Sequence, residues 1–137
     1  MTERILVVED EYLIRLWIAE CLLEDGFDVV LATNGDHALG LIAQPGGFDL
    51  LITDIAMPGL ADGNAVATAA KQRNQGLPVI YVSGRPDSVK NQIGPRDGFI
   101  AKPYSFVALS AMARRLLDAP TDAPTDAPAN LTSCVAA

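Results

Sequence analysis

The sequence predicts an α/β fold in which helices cover both faces of a parallel sheet. Short apolar runs alternate with amphipathic stretches along the chain, and the runs are continuous rather than alternating in polarity. Continuous apolar strands are typical of a parallel sheet that is buried on both faces. Polar residues follow directly after most of the runs. We therefore expect a doubly wound sheet with ligand chemistry at the carboxyl ends of its strands.

The elements can be assigned in chain order. The predicted strands span residues 5–8, 29–32, 50–54, 79–83 and 99–101, and the predicted helices span 12–25, 35–43, 63–74 and 106–117. Asn34 and Ser105 each precede a helix as its N-cap, because their short polar side chains accept a hydrogen bond from the first turn. Gly26 ends the first helix, since glycine adopts the left-handed conformation that commonly ends helices.

The composition indicates one globular domain with an acidic surface. The 137 residues are half apolar, and the formal net charge is −7. An acidic chain binds nucleic acid poorly, because phosphate contacts need a basic face, so we expect no nucleic-acid partner. The two cysteines, Cys21 and Cys134, form no disulfide framework or metal motif. No apolar run approaches the roughly 20 residues of a membrane span, and no signal peptide is recognisable, so we expect a cytoplasmic protein without membrane contact.

The composition changes after Leu117. The sequence Asp-Ala-Pro-Thr occurs at 118–121 and again at 122–125, and Asp-Ala-Pro follows at 126–128. Repeats of proline with alanine, threonine and aspartate cannot bury a hydrophobic core. We expect a folded domain over residues 1–117 and a disordered or extended tail over residues 118–137.

Polar side chains with complementary chemistry follow four of the predicted strands. Strand one ends at Glu9 and Asp10, strand three at Asp54, strand four at Ser83 and strand five at Lys102. The carboxyl ends of parallel strands meet at one edge of the sheet, so these side chains are expected to converge on one crevice. Neighbouring acids repel one another unless a cation lies among them, and carboxylate oxygens suit Mg²⁺.

The same residues support phosphoryl transfer. Asp54 is a candidate nucleophile that forms an aspartyl phosphate, while Lys102 and Ser83 stabilise charge on the phosphoryl oxygens. A small-molecule phosphatase or phosphotransferase with an aspartyl-phosphate intermediate is an alternative, although such enzymes commonly carry a second acid two residues after the nucleophile, where this chain has Ala56. A nucleotide- or flavin-binding module is a weaker alternative, because no glycine-rich phosphate loop follows strand one.

Four motifs resemble, in order, the receiver domain of two-component response regulators, in particular the stand-alone, chemotaxis-regulator-like kind. They are Val7-Val8-Glu9-Asp10-Glu11, Thr53-Asp54-Ile55-Ala56-Met57-Pro58 with a later Asp62-Gly63, Val82-Ser83-Gly84, and Ala101-Lys102-Pro103. The resemblance covers about residues 1–117 and implies a flavodoxin-like sheet of order 2-1-3-4-5. It implies a single-domain response regulator, not an enzyme beyond its own phosphorylation and dephosphorylation. Its phosphoryl group would come from a histidine kinase or histidine phosphotransfer protein, with output by protein contact or onward transfer.

The resemblance also assigns metal-binding and switch residues. It implies that Asp10, Asp54 and the Ala56 backbone carbonyl bind Mg²⁺ directly, and that Glu9 binds it through a water molecule. Ser83 and Phe99 stand at the positions of the family's switch hydroxyl and switch aromatic.

Three features depart from the family pattern. Glu9 stands where aspartate is more common, and its longer side chain still reaches a metal-bound water. The loop after Asp54 is one residue longer than usual. Residues 84–98 are fewer than a full helix and its connections need and contain two prolines, so we expect a short or irregular helix between strands four and five.

The first helix carries a candidate partner surface. Its predicted core stripe comprises Ile14, Trp17, Ile18, Cys21 and Leu22. Leu13, Leu16 and Leu23 fall on or near the outer face of this helix, which flanks the crevice. A row of exposed leucines indicates a partner surface, and we expect Leu13 and Leu16 to dock the phosphodonor protein. The alternative, in which flanking loops cover these leucines, stays open. The sequence also leaves the oligomeric state open, a monomer included.

Overall fold

A five-stranded parallel sheet forms the centre of the structure, which is a computed structural model that describes residues 2–57, 59–85 and 93–119. The strands are β1 (Arg4–Val8), β2 (Asp28–Ala32), β3 (Leu50–Asp54), β4 (Val79–Ser83) and β5 (Gly98–Ala101). They lie in the order β2-β1-β3-β4-β5, and all four neighbouring pairs are parallel. The predicted fold class and strand order are confirmed.

Among the described residues, four helices cover the two faces of the sheet. They are α1 (Tyr12–Glu24), α2 (Gly35–Ala43), α3 (Gly63–Arg73) and α4 (Phe106–Asp118). The side chain of Asn34 accepts a hydrogen bond from the His37 amide at 2.7 Å, and Ser105 Oγ accepts one from the Ala108 amide at 3.0 Å, so both predicted N-caps are present. None of the helices described has both the length and the apolar character that crossing a membrane needs.

Two sequence expectations fall largely outside the described residues. The short or irregular helix is expected within residues 84–98, of which residues 86–92 lie outside the described part of the chain, and most of the expected tail lies in residues 120–137. Both expectations stay predictions.

In the part of the chain that the structure describes, two hydrophobic clusters form the core, one on each face of the sheet. Successive strand residues point to opposite faces, so Leu6 and Val8 join the cluster under α2 and α3, whereas Ile5 and Val7 join the cluster under α1 and α4. Every residue of β3 and β4 is buried. The two clusters pack against the sheet from both sides. Because the strands are parallel, the carboxyl ends of the central strands lie along the same edge of the sheet.

Helix α1 buries a narrower stripe than the sequence predicts. Ile18 and Leu22 are buried, one turn apart, but Trp17 is 52% exposed and its predicted core position is wrong. Trp17 lies about 100° around the helix from Ile18, at the margin between α1 and α4, where its ring meets that of Phe106 edge-on at 5.9 Å. Cys21, one turn further along the same flank, is only half-buried.

Candidate functional site

Three carboxylates from two neighbouring strand ends form an acidic pocket. Val8 of β1 pairs with Thr53 of β3, so the next residues, Glu9 and Asp54, emerge side by side at the same edge. Oxygen atoms of Glu9, Asp10 and Asp54 lie within 4.8 Å of one another. Glu9 and Asp54 are buried and Asp10 is exposed. The structure therefore brings together the three acids that the sequence singled out.

The buried Glu9 carboxyl has a raised pKa. Burial raises its pKa to about 7, and the charge of Asp54 acts in the same direction. The Glu11 amide, which donates to Glu9 Oε2 at 3.0 Å, and the charge of Lys102 oppose the shift without cancelling it. Close acids that a single lysine does not neutralise favour a bound cation.

Lys102 follows β5, two strands away from β3, and its side chain extends to the acidic pocket. The Lys102 amide donates to the Ser83 carbonyl at 2.9 Å, which continues the β4–β5 pairing past the end of β5. Its Nζ then lies 2.7 Å from Asp54 Oδ2. Burial acts to lower the pKa of Lys102, but the hydrogen bond to Asp54 and the charges of Asp54, Glu9 and Asp10 raise it above its ordinary value. The amine is therefore a cationic donor at neutral pH.

The predicted switch residues lie on β4 and β5. Ser83 is buried at the end of β4, one residue beyond the Val82 that pairs with Asp54. Its Oγ accepts a hydrogen bond from the Arg85 amide at 2.9 Å and donates one to the Arg85 carbonyl at 3.0 Å. Phe99 pairs with Tyr81 in the β4–β5 register and packs, half-buried, against the cluster under α2 and α3.

The loop after β3 is held close to the phosphoacceptor candidate. Ala56 is exposed in this loop, and the Gly63 amide donates to the Ile55 carbonyl at 3.0 Å. A Cβ atom at Gly63 would overlap the carbonyl oxygen of Asp54. The sequence marks Gly63 as part of a motif and as the start of a helix, but a close backbone approach between distant elements leaves no local signal. Glycine is therefore required where α3 begins.

Tyr104 also belongs to the site, although no sequence motif marks it. It follows Lys102 by two positions and, together with Ile14, Lys102, Pro103 and Phe106, lines a pocket of about 350 Å³. The Lys102–Pro103 peptide bond is cis. Burial raises the pKa of Tyr104 to about 12, and the charges of Glu9 and Asp54 act in the same direction. Its distance of two residues from Lys102 was the one available signal in the sequence.

The predicted docking leucines are accessible on α1. Leu13 is 55% exposed and Leu16 is 38% exposed. They belong to a surface that we call the α1 face, made up of Tyr12, Leu13, Leu16 and Trp17. The helix begins two residues after Asp10, so the first turn of the α1 face lies next to the acidic pocket.

Comparisons of the sequence with known proteins identify the family. A family model described as the response regulator receiver domain matches residues 5–114. The transcriptional regulatory protein PcoR of Escherichia coli is 34% identical over 118 residues, which cover 84% of this chain and 51% of that protein. Response regulator MprA of Mycobacterium bovis is 34% identical over 121 residues, which cover 85% and 51% respectively. The chain belongs to the receiver domain family of response regulators, as its motifs suggested.

Solved structures share the fold. The receiver domain of the hybrid histidine kinase CckA matches with a TM-score of 0.71 at 32% identity, covering 84% of this chain and 99% of that one. A response regulator receiver protein from Sinorhizobium medicae matches with a TM-score of 0.80 at 24% identity, covering 86% and 96%. The Vibrio cholerae chemotaxis protein CheY4 matches with a TM-score of 0.71 at 24% identity, covering 85% and 99%. The expected chemotaxis-regulator-like fold is therefore confirmed.

Family membership establishes the general activity. Receiver domains are signalling domains of two-component systems that accept phosphoryl groups from histidine kinases and generally bind Mg²⁺ at an acidic pocket. The chain spans about half the length of the curated relatives it matches. The expectation of no nucleic-acid partner is not supported, because relatives such as PcoR are transcriptional regulators. PcoR is about twice as long as the region that matches this chain, so the net charge of a receiver domain does not describe the remainder of that relative.

Proposed function

We propose that Asp54 accepts a phosphoryl group from a phosphohistidine residue of a histidine kinase or a histidine phosphotransfer protein. The observation that carries this proposal is the 2.7 Å contact between Lys102 Nζ and Asp54 Oδ2 inside the acidic pocket. Asp54 is the buried acid that a fixed cationic donor contacts at the sheet edge. One carboxylate oxygen of Asp54 forms the new P–O bond while the P–N bond to histidine breaks, and the histidine nitrogen keeps the electron pair.

The residues of the acidic pocket fit a magnesium ion. They offer only oxygen ligands, which Mg²⁺ prefers, and leave one side of the pocket open to solvent at Asp10. We assign Asp10, Asp54 and the Ala56 carbonyl as direct ligands, and Glu9 as a ligand through water. A bound ion neutralises the carboxylates, so an anionic phosphoryl group can approach Asp54. Burial raises the pKa of Glu9, and the charge of a bound divalent cation would favour its ionised form.

Lys102 and Ser83 then act on the phosphoryl oxygens. The Lys102 amine exchanges its contact with Asp54 for a phosphoryl oxygen, since both are anionic acceptors at the same position. The Ser83 hydroxyl exchanges its bonds to the Arg85 backbone for another phosphoryl oxygen. This exchange loosens the turn after β4, and with Phe99 on the adjacent strand it supplies the conformational change that a downstream protein reads.

The α1 face is the proposed docking surface for the phosphodonor protein. Leu13 and Leu16 are exposed within the first two turns of α1, and a donor must hold its phosphohistidine close to Asp54 to react. Exposed apolar side chains beside the reactive group supply the contact area that such positioning needs. Output follows either by contact with another protein or by onward phosphotransfer.

Residues 1–117 contain every group that this chemistry uses, so we assign them as the receiver unit. Removing residues 120–137 is expected to leave phosphorylation unchanged.

The test of the proposed function is labelling with a small phosphodonor such as acetyl phosphate. Wild-type protein with Mg²⁺ should gain one phosphoryl mass, and Asp54→Asn should gain none. Asp28→Asn is the matched control, because Asp28 is exposed at the opposite end of the sheet. Labelling of Asp54→Asn at the wild-type level, or full labelling of the wild type in excess EDTA, would refute the assignment.

A further inference from the structure

Tyr104 sits against the proposed site but has no part in the chemistry described above. It comes from the loop between β5 and α4, and its side chain lines one pocket together with Lys102, whose amine contacts Asp54. Its ring body packs against the cluster under α1 and α4. The apolar part of the side chain therefore contributes to the hydrophobic core. Core packing gives no reason for the hydroxyl group.

The hydroxyl oxygen of Tyr104 is buried without a hydrogen-bond partner among the residues that the structure describes. A buried tyrosine hydroxyl nearly always has a partner, and leaving one unpaired costs about 1–3 kcal/mol. Phenylalanine would fill the same space without that cost. The high pKa of the group keeps its proton in place, so it is a hydrogen-bond donor at every physiological pH.

The ring orientation is fixed by a neighbouring aromatic residue. Tyr104 meets Phe106 edge-on, with ring centroids 5.8 Å apart and planes at 85°, and Phe106 meets Trp17 in the same manner at 5.9 Å. Such edge-to-face pairs are favourable and restrict how the rings turn. The hydroxyl therefore belongs to a rigid group that ends at Trp17 on the α1 face.

The acceptors that this donor can serve are the carboxylates of the acidic pocket. Lys102 lines the same pocket as Tyr104 and contacts Asp54, and oxygen atoms of Asp54 and Glu9 lie within 4.8 Å of one another. Asp54 already receives Lys102 at Oδ2. Glu9 receives the Glu11 amide at Oε2, and a carboxylate accepts several hydrogen bonds.

We propose that Tyr104 is a positioning residue of the acidic pocket, and that its hydroxyl donates a hydrogen bond to the Glu9 carboxylate when a divalent cation is bound. This inference rests on the proposed cation site. A hydrogen bond from the rigid aromatic group fixes how the carboxylate is turned towards the ion, and residues that orient ligands in this way strengthen metal binding. Cation binding in the acidic pocket is then coupled to the ring contacts from Tyr104 through Phe106 to Trp17.

The experiment compares Tyr104→Phe with the wild type by titration with Mg²⁺ alone. Trp17 is the sole tryptophan, so its fluorescence reports binding, and calorimetry provides an independent measurement. We expect Tyr104→Phe to bind Mg²⁺ about tenfold more weakly while its melting temperature in EDTA is equal to or above that of the wild type. If the tyrosine is purely structural, Tyr104→Phe should lower the melting temperature and leave the Mg²⁺ affinity unchanged.

Tyr81→Phe is the matched control. Tyr81 is fully buried in the other hydrophobic cluster, under α2 and α3, so the same loss of a hydroxyl should leave the Mg²⁺ affinity at the wild-type value. As a direct signature, a slowly exchanging hydroxyl proton should appear in the NMR spectrum of the wild type on addition of Mg²⁺ and be missing from Tyr104→Phe. If Tyr104→Phe is unstable, the hydroxyl-proton signal of the wild type still tests the inference, and no such signal on adding Mg²⁺ would contradict it.

Equal Mg²⁺ affinity of the wild type and Tyr104→Phe would overturn the inference and leave the proposed function intact. Equal weakening by Tyr81→Phe would overturn it as well. If the wild type itself binds no Mg²⁺, the proposed cation site fails first, and this inference fails with it.

Discussion

Lys102 Nζ and Asp54 Oδ2 lie 2.7 Å apart, although the two residues are 48 positions apart in the chain and their strands are separated by β4. The contact depends on strand order alone, because parallel strands deliver their carboxyl-terminal residues to one edge of the sheet. In the proposed function, negative charge accumulates beside this amine when Asp54 accepts a phosphoryl group. The amine is already in place before the reaction, because it contacts the Asp54 carboxylate.

Replacing Lys102 should therefore separate chemistry from folding. We expect Lys102→Met to slow phosphorylation by a small phosphodonor roughly 100-fold, the usual loss when one donor to a developing oxyanion is removed. The matched control is Lys71→Met, because Lys71 forms an ion pair of similar length, 2.8 Å, with Asp97 and is exposed to a similar degree. Lys71→Met should keep the wild-type rate and lower the melting temperature by more than Lys102→Met does in saturating Mg²⁺. The reverse result would make Lys102 a structural residue.

The stability of the metal-free protein should fall as the pH rises from 5 to 8. Burial raises the pKa of Glu9 from 4.5 to about 7 in the folded protein. A folded-state pKa above the unfolded value means that the folded state binds the proton more tightly. The stabilisation is therefore present at low pH and is lost as the pH rises through about 7. Melting temperatures in EDTA across this range measure the effect.

Mg²⁺ should reverse this trend, because a divalent cation favours the ionised carboxylates. The rise in melting temperature on adding Mg²⁺ is expected to be larger at pH 8 than at pH 5. Glu9→Gln removes the titrating group and should flatten the pH dependence in EDTA. An unchanged slope in Glu9→Gln would assign the pH dependence to another group.

The fold was predictable from the sequence because burial alone sets the pattern of a central parallel strand. The predicted bounds of β3 and β4 agree with the structure, since both strands are buried at every position. The predicted burial of Trp17 was wrong for a geometric reason. The spacing of apolar residues gives the direction in which a helix faces the core, but not how wide a stripe of the helix the neighbouring elements cover. In α1 that stripe is narrow, and Trp17 lies at its edge.

The pocket acids and Lys102 were predictable for a different reason. Strand ends converge whatever their neighbours are, so Glu9, Asp10, Asp54 and Lys102 needed only a correct strand assignment. Tyr104 lies in a loop, and no periodicity tells which way a loop side chain points. Gly63, at the start of α3, lies against the Asp54 carbonyl at the end of β3. This contact forms only when the chain folds, so the local sequence does not predict it.

The Gly63 contact gives a prediction on stability. We expect Gly63→Ala to lower the free energy of unfolding by about 2 kcal/mol, because the added Cβ atom overlaps the Asp54 carbonyl oxygen and forces the backbone apart. Gly40→Ala is the control within α2, where a Cβ atom meets nothing within 4 Å. That variant should raise the free energy of unfolding by about 0.5–1 kcal/mol.

Urea denaturation of both variants measures the difference. Gly63→Ala should also slow labelling by acetyl phosphate, since the displaced backbone carries Asp54. If the two glycine variants change stability alike, the close contact at Gly63 does not constrain the loop.

The α1 face gives the last prediction, on the choice of phosphodonor. The double variant Leu13→Glu with Leu16→Glu should slow phosphotransfer from the cognate phosphohistidine protein at least tenfold, because it places two charges in an apolar contact. Labelling by acetyl phosphate should stay within about twofold of the wild type, since a small donor needs no docking surface. Leu23→Glu is the matched control: Leu23 is 55% exposed, like Leu13, but lies in the last turn of the same helix, away from the pocket. Equal slowing with both donors would mean that Leu13 and Leu16 support the fold, and equal slowing by Leu23→Glu would move the docking surface away from the acidic pocket.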